Sequence, residues 1–357
     1  MFARCIARSV CFGLVLTVCG SGNPGQAGTW ILGGKQQDGF RLPEDDKTEI
    51  AVAQDMLSRF GDSIWPGFAK SKLPIVLYDD KTAFLIGEQK PPPPWRPVTG
   101  DTVLGEPYFW RQASKERAFA VPINGRQAGS IATFAYMNSK APFKMARDLH
   151  VCLLLHEMFH AFQATVAPRR FKQSNAVYKL ESKYPYKDAD FAKSWNAEGE
   201  ALWRGARAAD LATALAAARD FLRLRAERRR VSNLSPELIG YERDLEWLEG
   251  MAKYTELRFL DLGSRIRKPD EPIPFKAGKT YEVWDLARLR STLGSQAGDL
   301  RFYLSGMAQA RMLDILDPAW KKDLDAVDRS LEKRLSRVVD IGTLRPAEHA
   351  FLLTPTR

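Results

Sequence analysis

The run His156-Glu157-Met158-Phe159-His160 sits in an otherwise apolar stretch of a 357-residue chain. On a helix, residues four apart lie one turn apart on the same face, so the two imidazoles can reach one metal ion. Glu157, next to the first imidazole, is placed to take a proton from water at that metal. Two imidazoles and a carboxylate would be costly in an apolar helix without such a partner. The donor set points to Zn2+, whose catalytic sites take three protein ligands and keep one position open. Neither His150, six residues before His156 and on another face of the helix, nor His349, in a short tail, supplies the third ligand. A carboxylate on a later helix is expected instead.

Two segments offer one. Trp195-Asn196-Ala197-Glu198-Gly199-Glu200-Ala201 places Glu198 38 residues after His160, and Trp247-Leu248-Glu249-Gly250-Met251-Ala252-Lys253-Tyr254-Thr255-Glu256 places Glu249 89 residues after it. With these motifs the chain resembles the gluzincin zinc metallopeptidases, most closely the aminopeptidase-N-like families and some uncharacterised bacterial relatives. The resemblance implies a zincin-like fold and a Zn2+ cofactor held by His156, His160 and Glu249. It also implies Glu157 as catalytic base and a peptide or protein as substrate. Glu198 keeps a similar surround and stands as the rival ligand; it or Glu200 could instead orient a ligand histidine from behind. Tyr184, Tyr186, Tyr241 and Tyr254 are candidates for stabilising an oxyanion. A zinc hydrolase of non-peptide amides or esters, and an inactive binding or envelope protein of the same fold, are the alternatives, because the metal site alone does not choose the acyl group.

The elements that must position these residues follow from the pattern of apolar side chains. Residues 44–60, acidic at the start with apolar residues at helical spacing, predict a helix, and 73–78 a strand. Pro91 to Pro94 must be extended. Residues 118–123 and 131–137 around Asn124-Gly125 predict a hairpin, with Pro122 consigning its strand to an edge and the 131–137 strand open to an extended substrate. A buried helix is predicted over 142–167, and further helices over 188–208, 210–230, 236–261, 281–292 and 317–338. In the 210–230 helix Arg219, Arg223 and Arg228 to Arg230 read as a solvated face. The expected class is α+β and zincin-like: a small mixed sheet and the active-site helix, then a mainly helical C-terminal half. The expected divisions are a signal segment (1–27), a mixed strand and helix part (28–141), a helical part carrying the ligand helices (142–340) and a tail (341–357).

At 45% hydrophobic the composition is that of an ordinary globular protein. The formal charge of +10 comes from interleaved acids and bases with no nucleic-acid motif, so no nucleic-acid partner is expected. Arg4 and Arg8 precede an apolar run from Val10 to Val18 and small residues up to Ala27, the pattern of an export signal cleaved after Ala27. A retained N-terminal anchor and lipidation of Cys19 are the alternatives. Cleavage would leave a charge of +8, Cys152 as the one cysteine, no internal disulfide and no transmembrane span. The expected location is periplasmic or secreted; the oligomeric state is left open.

Overall fold

The computed structural model describes residues 40–344 except 115–119, 142–143, 269, 277, 297 and 325–329. The export signal, Cys19 and His349 lie outside the described residues. Helix α1 (Glu44–Ile64) opens with Glu44, Asp45 and Asp46, where carboxylates meet the positive end of the helix dipole, and buries Ile50, Ala53, Met56 and Leu57 along one stripe.

Six strands follow: β1 (Ile75–Tyr78), β2 (Thr82–Ile86), β3 (Arg96–Pro97), β4 (Phe109–Gln112), β5 (Ala120–Ile123) and β6 (Arg126–Ala132). They form one sheet in the order β3-β4-β2-β1-β6-β5. The β1/β6 pair is parallel and the other pairs are antiparallel. Every residue of β1 and β2 is buried, which is why both read as apolar runs without alternation.

Asn124 and Gly125 make the hairpin turn with φ of 48° and 74°, the left-handed values such a turn requires. The strand expected over 131–137 is shifted: pairing with β1 ends at Ala132, after which Thr133 caps α2 (Phe134–Lys140) by accepting from the Tyr136 amide. The expected substrate edge is corrected in part: from Phe134 to Met137 the chain is helical, and the edge strands of the sheet are β3 and the Pro122 strand β5, which pairs with β6 over Arg126 to Gly129.

Helix α3 (Arg147–Val166) carries His156, Glu157 and His160 and is buried over most of its length. It lies on β6 at Gly129, where a Cβ would come within 2.9 Å of the Met158 amide nitrogen and Cα. Then come α4 (Pro168–Ala176), a 3-10 segment (Val177–Lys183), α5 (Ala189–Ala206), α6 (Leu211–Val231), α7 (Pro236–Leu245), α8 (Met251–Ile266), α9 (Gly278–Ser291), α10 (Leu300–Leu316) and α11 (Leu331–Leu344). The chain is thus a mixed α+β fold, with its sheet in the N-terminal half and helices dominating the remainder.

Two expectations about the helices need correction. The helix predicted over 317–338 gives way to α10 and α11: Phe302, Leu304, Met307, Ala308, Met312 and Leu313 are all buried, and a helix enclosed on every side shows no amphipathic period. In α6, Arg219 and Arg223 do face solvent, but Arg228 and Arg229 are buried. They and Arg225 meet Glu198, Glu242, Glu246 and Glu332 in a charge network.

Candidate metal centre

Between α7 and α8 the backbone widens into a π-helical turn, Glu246–Gly250. Such turns are frequent at functional sites, and Glu249 lies in this one. Gly250 and Gly306 form the crossing of this turn with α10: a Cβ on Gly250 would lie 2.5 Å from the Gly306 Cα. The turn is anchored on its other side by Glu246, which accepts from Arg225 at 2.6 and 2.9 Å and from the Ser305 hydroxyl at 2.6 Å.

The result is a three-atom convergence. His156 Nε2 and His160 Nε2 are 3.2 Å apart, and Glu249 Oε2 lies 3.3 Å from the His160 nitrogen and 3.8 Å from the His156 nitrogen. Ligand atoms of a tetrahedral zinc, each about 2 Å from the metal, stand roughly 3.3 Å from one another. All three residues are buried, and together they form the one His/Cys/Asp/Glu group among the described residues with metal-binding spacing. Glu249 Oε2 accepts no hydrogen bond from a protein donor.

The far side of each imidazole is tied. His156 Nδ1 lies 3.1 Å from Glu256 Oε2, and His160 Nδ1 lies 3.0 Å from Gln163 Oε1. The Gln163 amide is oriented by its own donors, which reach the Trp247 and Leu248 carbonyls at 2.9 and 3.3 Å, so its oxygen accepts from His160. With Nδ1–H donated on both rings, the Nε2 lone pairs face the convergence.

The electrostatics agree. Burial would lower the His156 pKa, but Glu249 and Glu256 outweigh it and raise it. Burial would raise the Glu249 carboxyl, yet the two histidines hold it well below the usual carboxylate range. The carboxylate therefore stays anionic beside the two imidazoles.

Other residues complete the surround. Tyr178, half-buried, donates its hydroxyl to Glu249 Oε1 and lies 3.1 Å from Asp299 Oδ2. Tyr303 stacks on His156 with ring centroids 5.8 Å apart. Glu157 is 3% exposed on the same helical turn as His156. Glu198 is not at the centre but is held by Arg225, at 3.0 Å, and by Arg228; Glu200 pairs with Arg290. Neither orients a ligand histidine. The four expected tyrosines also point elsewhere: Tyr184 donates to Glu242, Tyr254 to Asp314, and Tyr186 and Tyr241 bond each other. His150 bridges Glu49 and the Ala132 carbonyl.

Sequence reasoning missed Gln163, Tyr178, Asp299 and Tyr303 and gave Glu256 no role. Gln163 alone left a trace, being three residues after His160 on the same helical face. Comparison with protein-family models, characterised proteins and solved structures finds no match to this chain. No helix among the described residues is long and apolar enough to cross a membrane.

Proposed function

We propose that this chain is an exported zinc-dependent hydrolase with a zincin-like fold, and foremost a metallopeptidase of the gluzincin type. The observation that carries the reading is the convergence of His156 Nε2, His160 Nε2 and Glu249 Oε2 at 3.2 to 3.8 Å, with both Nδ1 atoms tied from behind. The zinc would be held by these three residues, which leaves a fourth tetrahedral position open. Bound zinc supplies Lewis-acid polarisation of a carbonyl and acidification of water. Glu157 acts as the base: its carboxylate takes the proton of the attacking water and passes it to the leaving amine. Tyr178 holds Glu249 through Oε1, which keeps Oε2 directed at the histidines. The peptide substrate rests on the resemblance of the two motifs to gluzincins.

One observation favours a second reading. His156, Glu157, His160 and Glu249 are each 3% exposed or less, as befits a binding protein that keeps its metal enclosed. Glu157 separates the two. The purified chain should hold about one zinc per molecule and cleave an unfolded protein, and Glu157→Gln should keep the zinc and abolish cleavage. Turnover unchanged in that variant would exclude the mechanism, and zinc without any hydrolysis by the wild type would favour the binding protein.

A further inference from the structure

The two imidazoles of the centre are supported differently. His160 leans on a neutral amide, whereas His156 leans on a buried carboxylate that is itself gripped from the other side. Lys253, one turn before Glu256 on α8, places Nζ 2.7 Å from Glu256 Oε1 while Glu256 Oε2 faces His156 Nδ1. The same Nζ lies 2.8 Å from Asp285 Oδ2 of α9 and 4.6 Å from the centre of the Tyr281 ring. Arg288 flanks Asp285 at 3.7 Å. Lys253 is 5% exposed, and Glu256 and Asp285 are each 1% exposed.

A buried ammonium is costly, and an apolar residue would fill such a place more cheaply unless the charge does something there. Here each oxygen of Glu256 has one partner, so the carboxylate cannot rotate away from His156 without leaving Lys253. Asp285 and the Tyr281 ring fix Lys253 in turn. We infer that Lys253 is a positioning residue for the metal centre: by holding Glu256 Oε1 it keeps Oε2 on His156 Nδ1, and Asp285 anchors it from α9. The inference rests on the metal reading above.

The test is zinc affinity of the full chain, measured against a competing chelator, together with thermal stability of the metal-free protein. Lys253→Met keeps the aliphatic stem and should weaken zinc binding roughly tenfold or more, and Glu256→Ala should weaken it about 10- to 100-fold. Because both act through one contact, the double variant should bind about as weakly as Glu256→Ala alone. Asp285→Asn, a gentler change, should lower affinity in the same direction and serves if Lys253→Met does not fold. A purely structural Lys253 would lower metal-free stability without this coupling. Tight wild-type binding left unchanged by Lys253→Met or Asp285→Asn, or additive losses in the double variant, would overturn the inference alone. A wild-type chain that binds no zinc would overturn the metal centre and the inference with it.

Discussion

His156 Nε2 and His160 Nε2 stand 3.2 Å apart, and each ring gives its Nδ1–H to an oxygen acceptor. Two lone pairs at that separation repel unless a proton or a metal ion lies between them. Glu249 reaches the same point from the π-helical turn 89 residues further on, so two segments far apart in the chain converge there.

Glu249→Ala and Glu198→Ala should therefore fail in different ways. Glu249→Ala leaves two histidines, and its zinc affinity should fall by orders of magnitude in a chelator titration while the fold survives. Glu198→Ala leaves Arg225 and Arg228 short of a buried partner, which costs about 3–5 kcal/mol of stability, seen in denaturant unfolding. Its zinc affinity should fall far less, and a zinc-free but stable Glu198→Ala protein would refute the assignment of Glu249.

Gln163 joins His160 to the carbonyls of the π-helical turn. Gln163→Ala removes the acceptor that orients the ring and should weaken zinc about 10- to 100-fold. Unaltered affinity would show that the His160 ring is held by packing alone.

Gly250 allows the turn carrying Glu249 to touch α10. Gly250→Ala puts a Cβ 2.5 Å from the Gly306 Cα, a backbone atom that has nowhere to go. Overpacking of this kind costs about 1–3 kcal/mol, and the displaced turn should lose zinc affinity too. Gly240, on α7, meets nothing within 4 Å, so Gly240→Ala should be neutral or stabilising by up to about 1 kcal/mol. Equal melting temperatures for the two variants would contradict the close crossing.

Glu242 sets an acid limit on stability. Burial alone would raise its pKa, but Arg228, Arg229 and Arg225 outweigh it and hold it at about 2, against 4.5 for an ordinary glutamate. Between those values the unfolded chain binds the proton that the folded chain refuses. This contribution, about 3 kcal/mol by the size of the shift, is complete above pH 4.5 and is lost as pH falls toward 2. Glu242→Gln should be less stable than wild type at pH 7, with the gap closing in urea melts below about pH 4; a gap independent of pH would disprove the linkage.

Much of the centre was legible in the residues themselves. His156, Glu157 and His160 declare themselves because helical geometry alone puts positions i and i+4 side by side, and the Asn124-Gly125 turn because few other residue pairs take positive φ twice. Local rules also placed α1, α5, α6 and α9 to within a few residues. They failed at α10, whose uniform apolarity hides its period, and at 131–137, where one threonine cap turns strand into helix.

What the sequence determined by itself was local: a paired-histidine helix, its neighbouring base and two acidic segments that could serve it. Which acid arrives was a tertiary decision. Glu198 and Glu249 sit in similar surrounds, but two arginines on α6 change the outcome: Arg225 and Arg228 engage Glu198, and Arg225 also braces Glu246 in the turn that presents Glu249. Arg228 read as part of a solvated face and Arg225 was given no role, because helical spacing tells which side chains point together and not what they meet. Tyr178 and Glu256 were hidden for the same reason, since hydrogen bonds between residues 70 to 100 positions apart, such as Tyr178 with Glu249 and His156 with Glu256, leave no periodic trace in either segment.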